Sequence, residues 1–274
     1  MKHFVLLFGI FTFFAIPNVW ADDDYDFVEM PDSGDVSDAG DIDTYDMTTS
    51  GGDDIECALT SVAINADSEP IAVANFDIAG IMVGMSFEDV QIAVRENGLY
   101  VPTAKNNIIY SLHQDWRDNL DYECRQRKIF APKQLENCIR SLAKNRGLLY
   151  ASEMHLIRER TGETIDVYFT SNATDNTVWK IVYKNDVNEV EGDAKKFAVQ
   201  RERKIMAFWQ NILDKYGVPN SDTDKWVSSD NAYDPMMTAY YGQLELTDCG
   251  RYADDDSKNT IQAKDNFVAK PYAF

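Results

Sequence analysis

Residues 77–98 have the sequence DIAGIMVGMSFEDVQIAVRENG, and this stretch decides how the fold begins. A short apolar segment leads into a Gly-Met-Ser turn, after which apolar residues recur every three or four positions, the spacing of an amphipathic helix. Ser86 is placed to cap this helix, two acidic residues follow in its first turn, and Gly98 ends it. The mostly apolar face consists of Phe87, Val90, Val94 and Asn97. The stretch therefore predicts a strand, a turn and a helix in succession.

The first 21 residues have the pattern of a secretory signal peptide. Lys2 precedes the unbroken apolar run Phe4–Ile16, and Ala21 supplies the small residue that a signal peptidase requires. The 13 residues of this run are fewer than the ~20 that a membrane-spanning helix needs. We therefore predict an exported protein, periplasmic or secreted, with residues 1–21 removed and no membrane span in the mature chain.

The next segment, residues 22–56, is acidic throughout. It contains 14 Asp or Glu residues, no Lys or Arg, and few large apolar side chains, which predicts a disordered arm. Its aspartates lack the glycine and glutamate spacing of an EF-hand loop, so a solvated linker is favoured over a calcium site. The net charge of -20 makes nucleic-acid binding unexpected, because phosphate would be repelled. Residues 57–274 are predicted to form one globular domain, and two sub-repeats, 57–190 and 191–274, are also compatible with the sequence.

Four cysteines follow the signal peptide: Cys57, Cys124, Cys138 and Cys249. An even number in an exported chain favours disulfides, and four cysteines allow three connectivities. Residues 113–127 and 132–146 are predicted helices, and Cys124 and Cys138 lie equally far from the joint between them, both on apolar faces. We therefore predict an αα-hairpin closed by a Cys124–Cys138 disulfide, which contributes about 3 kcal/mol in the chain-entropy model. Pairing of Cys57 with Cys249 follows by elimination.

Residues 149–183 form the strand-rich part of the chain. Three runs of alternating apolar and polar residues, with short polar links, predict an antiparallel meander that has one wet face. In the third run, Trp179, Ile181 and Tyr183 are expected to share one face.

The remaining elements are predicted by the same patterns. Further extended segments are predicted at 59–65, 70–83, 225–229 and 236–247. Residues 192–216 predict the longest helix, with a stripe formed by Ile205, Trp209, Ile212, Leu213 and Tyr216. A final helix is predicted at 255–266. Helices mixed with meander strands predict the α+β class, an antiparallel β-meander packed against helices with the αα-hairpin inserted.

The sequence indicates no catalytic residue, metal site or cofactor. Of the histidines only His113 and His155 follow the signal peptide, and neither lies in a nucleophile motif. No zinc spacing and no phosphate-binding glycine loop is present. Glu153, Asp166 and Glu163 can share a surface of the sheet, where a solvated polar face is favoured over catalytic carboxylates.

The most suggestive surface is rich in aromatic residues and methionines near the C terminus. The candidate partner-binding residues are Trp226, Tyr233, Met236, Met237, Tyr240 and Tyr241. Such side chains are typical of contact surfaces, and they are equally typical of a sheet packed on a long helix. Both interpretations are open at this point, with the packed sheet favoured.

The run GIMVGMSFEDVQIAVRENG (80–98) resembles the helix-opening motif of the β-lactamase-inhibitor-protein-like superfamily, which includes a small lipoprotein of the outer-membrane barrel-assembly machinery. The segments DKYGVPNSDTDKWVSS (214–229) and TAYYGQLEL (238–246) are similar to a later helix–strand–strand passage of the same folds. The chain departs from the simple unit of the family by its acidic arm and its cysteine-bearing helical hairpin. The resemblance implies a non-enzymatic envelope module that binds another protein.

The leading hypothesis is an exported, non-catalytic protein that binds an envelope or extracellular protein through its sheet. A hydrolase with paired carboxylates in a cleft of the sheet is the alternative, and buried carboxylates of raised pKa lining a deep pocket would favour it. A third hypothesis is a structural or storage role in which the arm binds divalent cations weakly.

Overall fold

The computed structural model describes residues 57, 63–98, 100–102, 107–185, 194–221 and 224–267, with the backbone alone described at 194–197. The predicted signal peptide and acidic arm lie outside these residues. The helices are α1 (Phe87–Asn97), α2 (Gln114–Gln126), α3 (Pro132–Asn145), α4 (Ala194–Tyr216) and α5 (Cys249–Asp265). The strands are β1 (Asp77–Ile78), β2 (Ile81–Met82), β3 (Val101–Pro102), β4 (Ile108–Ser111), β5 (Tyr150–Arg158), β6 (Glu163–Phe169), β7 (Val178–Lys184), β8 (Lys225–Val227), β9 (Met236–Tyr240) and β10 (Gln243–Thr247).

Most of the strands belong to one antiparallel sheet, in the order β8–β9–β10–β7–β6–β5, with β3 and β4 both paired to β5. Strands β1 and β2 form a separate hairpin. The pairing of β7 with β10 places strands of both predicted sub-repeats, 57–190 and 191–274, in a single sheet. The predicted class is confirmed: the fold is α+β, a β-meander packed against helices with an inserted αα-hairpin. No helix in the described ranges is long and apolar enough to cross a membrane.

The main core lies between one face of the sheet and two helices, α1 and α4. Strand registers align apolar residues across this face, as in the neighbouring pairs Val167–Ile181 and Ile181–Leu246. The helices contribute Val90, Val94, Phe208 and Ile212. Burial of these side chains is the main favourable contribution to folding of this part.

Helix α1 agrees with its prediction. The Ser86 hydroxyl accepts a hydrogen bond from the Asp89 backbone N–H at 3.1 Å, and Gly98 ends the helix with a φ of 62°. Val90 and Val94 are buried, and the ring of Phe87 packs edge-on against Phe169 at 5.2 Å between centroids. Local capping and apolar spacing are sufficient to define this helix.

The α2–α3 hairpin also agrees with its prediction. Pro132 occupies the first turn of α3, where its missing N–H costs nothing. A disulfide joins Cys124 and Cys138, the pair that the sequence predicts. The hairpin has its own small core, formed by Leu112, Leu120, Cys124, Leu135, Ile139 and Ala143.

Strand β7 differs from its prediction at Trp179. The pairing of β6 with β7 shifts register between Tyr168 and Phe169, so Val178 rather than Trp179 continues the core face of Ile181. The ring of Trp179 instead contacts Tyr252 of α5, at 4.6 Å between centroids. A β-bulge reverses the side of the residues beyond it, and simple alternation cannot anticipate it.

Helix α4 differs from its predicted stripe in two positions. Phe208 is buried in the core and was not predicted, whereas Leu213 is 37% exposed. Phe208 and Ile212 are one helical turn apart and form the middle of the buried face of α4. Leu213 therefore lies at the edge of this face. Gly217 follows the helix with a φ of 79°.

Helix α5 begins six residues earlier than predicted. Asp248 caps it by accepting a hydrogen bond from the Arg251 backbone N–H at 3.0 Å, so Cys249 is its first residue. Cys249 forms a disulfide with Cys57, the pair expected by elimination. The helix is also held by buried Asp255, whose carboxylate accepts hydrogen bonds from the backbone N–H and the hydroxyl of Ser171.

The extended segments predicted before α1 are replaced by shorter elements. Residues 63–65 are not a strand, and residues 58–62 lie outside the described part. Within 70–83 the chain forms a 3-10 turn at Val73–Asn75 and then the β1–β2 hairpin, whose turn residues Ala79 and Gly80 have φ values of 55° and 83°. Two residues of positive φ are typical of a tight hairpin turn, and Ala79 is not a residue that signals one in a sequence.

Candidate functional site

The predicted partner-binding set does not form one surface. Trp226 and Met237 are 0% exposed, because the paired strands β8 and β9 turn both side chains into the core. Tyr233, Tyr240 and Tyr241 are 45%, 50% and 76% exposed, while Met236 is half-buried. Trp226 and Met237 therefore lie in the core, as the packed-sheet interpretation expects, while Tyr233, Tyr240 and Tyr241 are accessible.

The predicted carboxylates divide between the two faces of the sheet. Glu153 and Asp166 lie on the face opposite the main core, with His155 between them. The His155 Nδ1 is 2.8 Å from an Asp166 oxygen, and its Nε2 is 3.5 Å from a Glu153 oxygen. Glu163 belongs to the other face, so the expectation of one shared surface is wrong for this residue. The strand period of two separates residues 163 and 166.

On the core side, a groove of about 710 Å³ lies where the β1–β2 hairpin, the end of α1 and α4 meet the sheet. It extends to the junction of β7 and β10, where the lining residues Tyr183 and Leu244 are paired. Its aromatic and apolar lining includes Tyr100, Tyr183, Phe208, Ile212 and Leu244. Its volume lies within the range of ordinary ligand sites.

Glu163 lines the groove and accepts hydrogen bonds from four side chains. One carboxylate oxygen accepts hydrogen bonds from Tyr100, Thr161 and Arg158 at 3.3, 2.9 and 3.0 Å, and the other from Tyr183 at 3.1 Å. Burial opposes ionisation of this carboxyl, but the hydrogen bonds outweigh it and lower the pKa of Glu163 from 4.5. Burial and the charge of Glu163 raise the pKa of Tyr100 to about 12. Near neutral pH the carboxylate is therefore ionised and the phenol is a hydrogen-bond donor.

Asp77 of β1 contacts two lining residues of the groove, Lys215 and Tyr216. The Lys215 Nζ lies 2.9 Å from its carboxylate, and the Tyr216 hydroxyl donates to its backbone carbonyl at 2.6 Å. The same carboxylate accepts the Gly80 backbone N–H at 2.9 Å. Burial raises the pKa of Asp77, and the lysine and backbone hydrogen bonds more than offset this, so the net direction is downward. These contacts fix the β1–β2 hairpin against α4.

Asn97, on the last turn of α1, also lines the groove. Its Nδ2 donates to the Ala79 backbone carbonyl at 2.9 Å. Its Oδ1 is buried and has no hydrogen-bond partner among the described residues. A buried acceptor without a donor is uncommon in folded proteins, which marks this position as a candidate contact for a ligand.

The described lining of the groove contains no pair of carboxylates that could act as acid and base. Among its described lining residues Glu163 is the single carboxylate, and its oxygens are already occupied by donors. Glu153, whose pKa is raised by burial, lies on the opposite face beside His155. No group of three His, Cys, Asp or Glu residues in the described part is arranged to hold a metal ion.

Sequence reasoning did not predict the groove, although two signals were present. Asn97 is a polar residue on the predicted apolar face of α1, and Tyr183 carries a hydroxyl on the face that it was expected to share with Trp179 and Ile181. A polar group in a core position needs a partner, so each pointed to a polar site beneath the helices. Asp77 and Lys215 had no comparable signal, because they are 138 positions apart.

The chain was compared with known proteins at three levels. No family model matches it, and no curated protein or solved structure matches it significantly. Functional inference therefore depends on the site itself.

Proposed function

We propose that this chain is an exported, non-catalytic binding module, and that the groove between α1, the β1–β2 hairpin and α4 takes a segment of another envelope or extracellular protein. The observation that carries the proposal is the groove itself, which combines an aromatic and apolar lining with polar groups. Such a combination is typical of recognition sites.

The hydrolase alternative receives no support from the geometry. It requires paired carboxylates in a cleft, one of them with a raised pKa. In the groove, the pKa of Glu163 is lowered, and the carboxylate of raised pKa, Glu153, lies on the other side of the sheet. A binding role makes no such demand.

The family resemblance supports the same proposal. The β-lactamase-inhibitor-protein-like superfamily, which residues 80–98 resemble, implies a protein-binding role rather than an enzymatic one. The C-terminal end of this segment supplies Asn97 to the groove. We therefore propose the groove, rather than the divided aromatic set around Tyr240, as the partner surface.

A pair of tryptophan substitutions tests the proposal. Ala207 lines the groove on α4, and Met206 beside it is 65% exposed and is not a lining residue. Ala207→Trp should obstruct the groove, while Met206→Trp adds the same side chain outside it. Both full-length variants, with the wild type, are used to capture proteins from an envelope extract, followed by quantitative mass spectrometry.

The expected result is a partner that wild type and Met206→Trp retain and Ala207→Trp loses. Circular dichroism and urea unfolding of both variants check that each is folded. If every captured protein binds all three chains equally, the groove is not the partner site and the proposal is wrong.

A further inference from the structure

The joint between α2 and α3, residues 125–135, forms the tip of the helical hairpin and is basic. The whole chain carries a formal net charge of -20, yet this hairpin tip, RQRKIFAPKQL, contains four Lys or Arg residues and no carboxylate. Arg125 and Arg127 are each paired with a carboxylate of α2, at 2.6 Å. Lys128 and Lys133 are exposed and take part in none of the ion pairs among the described residues. Two lysines of the tip are therefore available to a partner.

The carboxylates on either side of the tip do not cancel this charge. Asp121, Glu123 and Glu136 are each paired with an arginine of the hairpin. All of the hairpin lies within the described range 107–185. After these ion pairs are counted, the charge that remains is that of the two lysines.

An exposed aromatic side chain lies between the lysines. Phe130 is 62% exposed, whereas the adjacent Ile129 packs on the small core of the hairpin. The turn that separates them begins at Lys128, which has a φ of 64°, and the Ile129 N–H donates to the Cys124 carbonyl at 3.3 Å. Glycine is the usual residue at such a left-handed position after a helix, so helix termination alone does not explain a lysine there. The hairpin core uses Ile129 and leaves Phe130 in solvent.

The hairpin presents this tip in a fixed shape. The Cys124–Cys138 disulfide joins the last turn of α2 to α3 beside the tip. The hairpin also has a core of its own, which is separate from the main core. A preformed tip loses little conformational entropy when it meets a partner.

A lipid surface fits the tip better than a folded protein does. A stable protein interface uses about 20–30 residues on each side, whereas the exposed residues around Phe130 are Lys128 and the short run 130–134. The interfacial region of a bilayer accepts single aromatic side chains, and anionic headgroups attract lysines that lie near the surface. This attraction acts within a Debye length, about 8 Å at physiological ionic strength, so charges farther from the surface are largely screened.

We propose that the hairpin tip docks on an anionic lipid surface, with the ring of Phe130 in the interfacial region and Lys128 and Lys133 against the headgroup phosphates. This inference goes beyond the proposed function, because the tip shares no residue with the lining of the groove. The contact is peripheral, and it holds the chain at a membrane surface while the groove stays open to a protein partner.

Co-sedimentation with lipid vesicles tests the inference. The full chain is mixed with vesicles of phosphatidylcholine alone, and with vesicles of phosphatidylcholine and phosphatidylglycerol in about a 2:1 ratio, at low and at physiological ionic strength. We expect the chain to bind the anionic vesicles and not the neutral ones, and to bind more weakly at the higher ionic strength.

Aromatic substitutions locate the contact. Phe130→Ser removes the ring at the tip, and Tyr241→Ser removes a ring that is 76% exposed in the turn between β9 and β10. We expect Phe130→Ser to lower the vesicle partition coefficient about tenfold and Tyr241→Ser to leave it within about twofold. As a second readout, Phe130→Trp should show a blue shift of its fluorescence on anionic vesicles, because the indole leaves water.

Charge substitutions provide a second matched pair. K128Q/K133Q removes the two lysines of the tip, and R201Q/R203Q removes two exposed positive charges from α4, so both variants change the net charge equally. We expect K128Q/K133Q to lower the partition coefficient about tenfold and R201Q/R203Q to lower it by less than about twofold. Urea unfolding of each variant checks that it is folded.

Several outcomes would overturn the inference. The tip is not a lipid contact if wild type fails to bind the anionic vesicles at low ionic strength, if the control variants lose as much binding as the tip variants, or if the fluorescence of Phe130→Trp is unchanged. Loss of vesicle binding in Ala207→Trp would place the lipid in the groove instead. Loss of a captured protein, with unchanged vesicle binding, in K128Q/K133Q would show that the tip contacts an acidic protein.

Discussion

Strand β6 carries two carboxylates, Glu163 and Asp166, that face opposite sides of the sheet and have different kinds of partner. Glu163 accepts hydrogen bonds from tyrosine, threonine and arginine side chains. Asp166 is held by His155, at 2.8 Å, and by Lys184, at 3.4 Å. Histidine is the side chain that ordinarily titrates near neutrality. The two carboxylates of β6 therefore differ in that the one on the opposite face has a histidine partner, whereas the one on the groove face has none among its hydrogen-bond donors.

The directions of the pKa shifts place the pH dependence of stability on the two faces in separate pH ranges. Stabilisation by Glu163 is lost as pH falls through its lowered pKa, and that by Tyr100 is lost as pH rises from 10.0 towards about 12. The hydrogen bond to Asp166 raises the pKa of His155 above 6.5 despite opposing burial, so its contribution is full below about pH 6.5 and is lost above. A binding groove that must keep its shape near neutral pH is better stabilised by the tyrosine, threonine and arginine partners of Glu163 than by a histidine partner.

The largest effect is expected for Glu163→Gln. The variant removes the charge that Arg158 and the two tyrosines share, and we expect the free energy of unfolding to fall by about 2 kcal/mol, the scale of hydrogen bonds to a charged group. Urea unfolding at neutral pH measures it. The control is Glu159→Gln, an exposed residue near the start of the same turn, which should change stability by less than about 0.5 kcal/mol. If both variants lower the free energy of unfolding equally, Glu163 has no special role in stability.

A smaller and pH-dependent effect is expected for Asp166→Asn. At mildly acidic pH the variant deprives protonated His155 of its principal partner, and we expect a loss of about 1 kcal/mol that shrinks as pH rises. Urea unfolding is measured on both sides of neutrality, with Asp175→Asn, an exposed residue of the loop after β6, as control. A loss that is the same at both pH values would show that His155 does not carry the interaction.

The pH profile of stability is the next prediction. Wild-type stability should decline as pH rises through the raised pKa of His155, and His155→Gln should flatten that decline. The groups that act on His155 are Asp166, Glu153 and Lys184, so they are left unchanged. The full-length variants are unfolded in urea between about pH 5 and about pH 9, with His113→Gln as the second histidine variant. If the decline in stability persists in His155→Gln and vanishes in His113→Gln, His113 rather than His155 causes it.

The smallest effect is expected for Lys184→Met. The positive charge of Lys184 lowers the pKa of His155 and also that of Asp166, so its removal should raise both. NMR titration of the His155 imidazole measures the pKa of this residue directly. A fall in the pKa of His155 in this variant would contradict the arrangement of charges on this face.

Several parts of the fold were predictable because their causes are local. The cap and stop of α1, the proline at the start of α3 and the equal spacing of Cys124 and Cys138 all lie within short stretches. The bulge beside Trp179 and the turn at Ala79 were not predictable, because pairing with other strands and side chains decides them.

The candidate site shows the same limit more strongly. The sequence by itself determined the α+β class, the helical hairpin and the apolar face of α1, because side-chain periodicity is a property of each element alone. Only the tertiary structure decided that Glu163 and Lys215 line one groove, and that Lys215 contacts Asp77 of the β1–β2 hairpin. Contacts between distant residues depend on strand register and helix packing, which no single element encodes.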